Sequence, residues 1–196
     1  MIETAPESAL ERLYQKARAQ RRLNDAEEVL FRRTATHEAG HLLVARYYDL
    51  GPNVFIGGIR EGICTHRASK DNPTITAAVS WGGIVAEAML DTVNTDARRP
   101  AMPLDLYVWP MEYLRGGYAA KLSRPDREGL LIDNSSSESF RAAFNILAFT
   151  PGLVEHCAGL LMEDFRPFVV DSLDDSDGGA SRVEAWLAHQ QGRRGV

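Results

Sequence analysis

The chain has 196 residues, about one domain with a helical appendage, and its 44% apolar and 25% charged residues are the mix of a soluble globular protein. Lys and Arg total 22 against 27 Asp and Glu, and a net charge of −5 argues against nucleic acid as the main partner. No apolar run reaches the roughly 18–20 residues of a membrane span. Residues 1–7 carry neither the cationic nor the apolar region of a signal peptide. The two cysteines, Cys64 and Cys157, cannot build a disulfide framework, so the expected location is the cytoplasm.

In chain order, Leu10, Leu13 and Ala17 recur at helical spacing, with Arg12, Lys16, Arg18, Arg21 and Arg22 on the other face. Asn24 with Glu27 three residues later forms a capping-box signature for a helix over about 25–49. That helix is expected to stop where Gly51 adopts the left-handed conformation and Pro52 blocks extension. Two short strands are predicted at Val54–Ile56 and Ile63–His66, with Gly57 and Gly58 in the turn. Thr74–Leu90 is almost uniformly apolar and reads as a buried helix, where Gly82-Gly83 permits close approach of a neighbour. Residues 94–103 are loop-like. Helical patterns return at Leu104–Leu114, Phe140–Ala148, Leu153–Phe165 and Ser181–Gln190, with an acidic linker over 171–180. The fold class is mainly α with a small β-hairpin.

One motif carries chemistry. His37-Glu38-Ala39-Gly40-His41 is H-E-x-x-H, inside the capped helix. Residues four apart lie on one helix face, so both imidazoles can reach one cation, and the glutamate stands where it can take a proton from water. Chance supplies such a motif on the order of once in a hundred chains of this composition. Gly40 within the helix costs roughly 1 kcal/mol against alanine and implies close packing there. A catalytic zinc site has three protein ligands, and the candidates for the third are His66, Glu87, Asp91, Asp96 and Asp105. Glu87 lies on a buried-looking helix, where a carboxylate needs a partner. Asp105 follows Pro103 at a predicted helix start, where the helix dipole favours an anion. His156 and His189 have no partner at ligand spacing, and Cys157 reads as a core residue.

The segment Ala35-Thr36-His37-Glu38-Ala39-Gly40-His41-Leu42-Leu43-Val44-Ala45 resembles the zinc-binding helix of the FtsH-type AAA proteases, metallopeptidase family M41. The hairpin over Val54–His66 and Gly82-Gly83-Ile84-Val85-Ala86-Glu87, similar to the family's G-G-R-A-A-E, follow in the family's order. The resemblance spans roughly residues 25–165. It implies a zincin-like protease domain over 24–170, between an N-terminal helix (1–23) and a linker (171–180) with a C-terminal helix and tail (181–196). It implies one Zn2+ on His37, His41 and Asp105, Glu38 as the base, and Glu87 supporting a ligand from behind or replacing Asp105. Substrate would add as a strand along Gly62, Ile63, Cys64, Thr65 and His66. The implied partners are a peptide or unfolded-protein substrate, an ATPase that delivers it, and further copies of the chain.

The sequence also departs from that pattern. It has no G-x-x-x-x-G-K-[ST] phosphate loop and no membrane anchor, and Ile84 replaces the family's arginine. Pro110 removes a hydrogen bond to residue 106 and is expected to end the Asp105 helix early. Two functions follow as expectations: a metallopeptidase, or a metal-binding interaction module that keeps the protease fold and closes its metal with a fourth protein ligand.

Overall fold

Asn24 opens the first helix through a reciprocal cap. Its Oδ1 accepts from the Glu27 N–H at 3.0 Å, and its own N–H donates to Glu27 Oε2 at 2.9 Å. The computed structural model describes residues 22–69, 72–93, 124–131, 136–173 and 178–194. They form α1 (Asp25–Tyr47), β1 (Asn53–Gly58), β2 (Glu61–Thr65), α2 (Pro73–Val93), α3 (Arg124–Leu131), α4 (Ser136–Ala148), α5 (Pro151–Ser172) and α6 (Gly178–Arg194). The architecture is mostly helical with one two-stranded antiparallel sheet, β1–β2. No single described helix is long and apolar enough to cross a membrane.

Several boundaries differ from the sequence reading, each for a local reason. The residue that ends α1 in the left-handed conformation is Asp49 (φ 52°), two residues before Gly51 (φ 58°). Leu50 N–H donates to the Ala45 carbonyl at 2.9 Å and Asp49 N–H to that of Arg46 at 3.0 Å, the paired bonds of a Schellman stop. Aspartate tolerates that conformation because its short polar side chain can bond locally. Gly57 and Gly58 belong to β1 itself, and the turn is Ile59-Arg60, whose Ile59 carbonyl accepts from Thr34 Oγ1 at 2.8 Å. Asp171 and Ser172 are the buried end of α5, not linker. Helix α3 has no counterpart among the elements expected from the sequence. Residues 94–123, including the expected loop at 94–103 and helix at Leu104–Leu114, lie outside the described residues, as does the N-terminal helix.

The chain divides into two compact units. The first contains the start of α1 up to Ala35, Phe55–Ile63, and the chain from Gly159 onward. Its core is aromatic: Phe55 stacks on Trp186 (5.4 Å, 10°) and meets Phe165 edge-on (5.4 Å, 83°), with Phe168 alongside. Arg166 grips the Glu28 carboxylate with both terminal nitrogens (2.8 and 2.5 Å) and lies 5.7 Å from the centre of the Phe31 ring. Arg182 pairs with buried Asp171 at 2.5 Å.

The second unit comprises Thr36–Val54 and Cys64–Ala158. Helix α2 is its centre and packs against α4 and α3. Trp81, Ile84, Val85, Phe140 and Leu147 are fully buried, and Trp81 meets Phe140 edge-on at 5.3 Å. Helices α1 and α2 approach to backbone contact at Gly40 and Gly82, where a Cβ on either would collide with the other's carbonyl group. This close crossing brings the H-E-x-x-H face of α1 directly onto α2.

Candidate metal centre

His37 and His41 stand one turn apart on α1, as i and i+4 residues must, with their Nε2 atoms 2.9 Å apart. Each ring is fixed from behind by α2. His37 Nδ1 bonds Glu87 Oε1 at 2.6 Å, and His41 Nδ1 bonds the Val79 carbonyl at 2.7 Å. A carbonyl oxygen only accepts, so His41 Nδ1 carries the hydrogen and its Nε2 lone pair faces His37. The Glu87 carboxylate selects the same tautomer at His37. Such hydrogen bonds are what orient and strengthen imidazole ligands. Glu87 thus stands behind His37 rather than beside the two Nε2 atoms.

The third donor among the described residues is Asp126, in the first turn of α3. Its Oδ1 is 3.1 Å from His41 Nε2 and its Oδ2 3.4 Å from His37 Nε2. The three residues form a group whose ligand atoms lie within 4.8 Å of one another. A four-coordinate ion with bonds of about 2.0–2.1 Å spaces its ligands by about 3.3 Å, close to these separations. Two imidazole nitrogens and a carboxylate this close need positive charge between them, which protons on the rings or a divalent cation would supply, so the donor set is one that could hold a divalent cation.

The expected third ligand Asp105, and Asp96, lie outside the described residues, while Asp91 falls in the last turns of α2. The reasoning applied to Asp105, an acid held at a helix start by the dipole, applies equally to Asp126. Its sequence signal was available: Ser123-Arg124-Pro125-Asp126 places a capping serine, a proline of the first turn and an acid at helix-start spacing.

Gly83 forms the floor of this arrangement. A Cβ there would lie 2.6 Å from His37 Nε2 and 2.7 Å from His41 Nε2, so no larger residue leaves both rings where they are. On the far side, Gly129 of α3 sits so close to Ser80 that a Cβ would overlap its hydroxyl, which lets α3 bring Asp126 down onto the histidines.

Electrostatics follow from burial and crowding. Burial opposes charging His37, but hydrogen bonds to Asp126 and Glu87 and the charge of Glu38 outweigh it and hold its pKa well above the ordinary value. His41 is likewise raised, the Asp126 charge overcoming burial. Asp126 pays desolvation too, yet the two histidines hold it below the usual carboxylate range. Glu38 is raised by burial. It is only 5% exposed, and its Oε2 has no hydrogen-bond partner. A buried carboxylate oxygen left bare is costly.

Of the expected strand-edge residues, Gly62, Ile63, Cys64 and Thr65 lie in β2, and His66 follows it, its Nδ1 donating to the Arg67 carbonyl at 3.0 Å. Burial first, then the charges of Glu38 and Asp126, raise the Cys64 thiol, which puts Cys64 within the electrostatic reach of the site. His156 and His189 are exposed, and Cys157 is half-buried with its thiol raised by burial. Comparison of the chain with protein-family models, with curated proteins and with solved structures finds no match in any of the three.

Proposed function

We propose that the protein is a zinc-dependent metallopeptidase with an FtsH-like site, in which His37, His41 and Asp126 hold the ion and Glu38 is the acid–base group. The observation that carries this reading is the convergence of two oriented imidazoles and a carboxylate, with a buried glutamate beside the first histidine whose Oε2 has no partner. A divalent ion held by His37, His41 and Asp126 would supply Lewis-acid chemistry, polarising a carbonyl and acidifying water. Glu38 Oε2 accepts a proton from the attacking water and returns it to the leaving amine. Its raised pKa suits that exchange, because a base too weakly basic could not take the proton. Glu87 and the Val79 carbonyl keep the rings aimed through the cycle.

The substrate is an extended polypeptide. A peptide strand adding along β2 would pass the site at Cys64–His66, where the thiol of Cys64 already feels the charges of Glu38 and Asp126. Substrates are unstructured polypeptides or ones delivered by an ATPase. The test is cleavage of a denatured protein by the zinc-loaded chain, wild type against Glu38→Gln. The expected result is chelator-sensitive cleavage that falls at least about 10²-fold in the variant while zinc content holds. A zinc-loaded Glu38→Gln that cleaves at the wild-type rate would overturn the assignment.

A further inference from the structure

Helix α3 carries the third donor and rests on α2 along one face. Asp126, Gly129 and Leu130 are i, i+3 and i+4 residues on that face. Gly129 is buried, and Leu130 joins the core that holds Trp81 and Phe140. Arg124 and Glu128 occupy the outer side, exposed and paired with each other at 2.7 Å. The inner side meets α2 at Ser80. Ser80 stands on the same line of α2 as Gly83, which floors the two imidazoles, and Glu87, which bonds His37. One stripe of α2 therefore seats both the histidines of α1 and the aspartate of α3.

The contact at Ser80 leaves no slack. A Cβ on residue 129 would overlap Ser80 Oγ and stand 3.0 Å from Ser80 Cβ. Rotating Ser80 about its first side-chain bond moves the hydroxyl but not the Cβ, so restoring ordinary contact lifts α3 by roughly half an ångström. Gly129 is one turn from Asp126, and a ligand must be held to about 0.5 Å, so a lift of that size is felt at the metal site. The dependence also runs the other way. Helix α3 has eight residues, and helices that short do not persist alone in water. What keeps it helical is what it rests on: Leu130 in the core, Gly129 on Ser80, and Asp126 within 3.1–3.4 Å of two imidazoles. An ion shared by those three side chains ties α3 to α1 as well as to α2.

We propose that Ser80 and Gly129 are positioning residues for the metal site: the depth at which α3 seats on α2 at this pair sets metal affinity, and the ion in return clasps α3 to α1. The two effects are reciprocal by linkage. The proposal rests on the ligand set assigned above and not on peptidase activity. The test combines zinc affinity, by chelator competition, with amide hydrogen exchange on the full chain. Gly129→Ala should bind zinc about tenfold or more weakly. Ser80→Gly should stay within about threefold of wild type, and Ser80→Gly/Gly129→Ala, which moves the side chain to the other helix, should recover to the same range. The exchange measurement needs no variant. Zinc at about 100 times its dissociation constant should slow wild-type exchange at Glu128–Leu130 by up to about 100-fold, since α3 must release the ion before it opens. Gly129→Ala with wild-type affinity, a double variant no better than Gly129→Ala, or α3 exchange indifferent to bound zinc would overturn the proposal and leave the ligand set standing. A wild type that binds no zinc would overturn both.

Discussion

Gly83→Ala isolates the geometry of the site from its chemistry, because it adds one methyl group and removes no donor. In the wild type a Cβ at this position would stand 2.6 Å from His37 Nε2 and 2.7 Å from His41 Nε2, about 0.7–0.8 Å inside ordinary contact. The rings cannot simply retreat, since each is tied to α2 through Nδ1, at 2.6 Å to Glu87 and 2.7 Å to the Val79 carbonyl. Relief requires breaking one of those bonds or shifting α1 from α2, whose backbones already touch at Gly40 and Gly82. Overpacking of this kind costs about 1–3 kcal/mol, offset by about 1 kcal/mol of helix propensity gained on replacing glycine, so the fold should survive with a small net loss. The metal site should not, because ligand placement must hold to about 0.5 Å. Zinc affinity, measured by competition with a chromogenic chelator, is expected to fall on the order of 10²-fold. Gly152→Ala is the control: a Cβ there meets nothing within 4 Å, and both stability and zinc affinity should be retained. A folded Gly83→Ala that binds zinc as tightly as wild type would show that the two histidines do not share an ion in this arrangement.

Elemental analysis after zinc loading should find that Asp126→Ala has lost the ion while Asp105→Ala keeps it; the reverse pattern would make Asp105 the ligand. Metal binding should release protons, because both histidines have raised pKa values in the metal-free fold and an ion must displace what they hold. Calorimetry in buffers of different ionisation enthalpy should therefore report net release, with affinity rising as pH increases. For the metal-free protein, the raised histidines contribute stability that is fully present below the ordinary value of 6.5 and is lost as pH rises through their folded values. Glu38, also raised, acts in the same direction above its ordinary 4.5. The increase in Tm on adding zinc should consequently grow between about pH 6 and 8, and a flat profile would contradict the protonation assigned here. Trp186→Ala, removing the ring stacked on Phe55, should cost about 3–5 kcal/mol in denaturant unfolding.

Local rules made much of this protein legible without coordinates. The capping box at Asn24 and Glu27, the same-face placement of His37 and His41, the apolar α2 and the mid-helix glycines all depend on residues within a turn or two of one another. Asp49 shows where such rules stop being unique: the sequence pointed to Gly51 and Pro52, and the hydrogen bonds of the last turn chose the aspartate over the glycine. Glu87 and Asp126 belong to the other kind of information. That Glu87 needed a partner follows from its apolar helix, but that the partner is His37, fifty residues earlier, depends on how closely α1 and α2 cross at Gly40 and Gly82. Asp126 had the same helix-start signal as Asp105, and spacing along the chain cannot rank two such carboxylates. Only the packing of α3 on α2, with Gly129 against Ser80, brings one of them within 3.1–3.4 Å of both imidazoles. Helix periodicity is a short-range property of the chain and survives in the sequence. The meeting of side chains from three helices is fixed by how close their backbones can come, and that is decided in three dimensions.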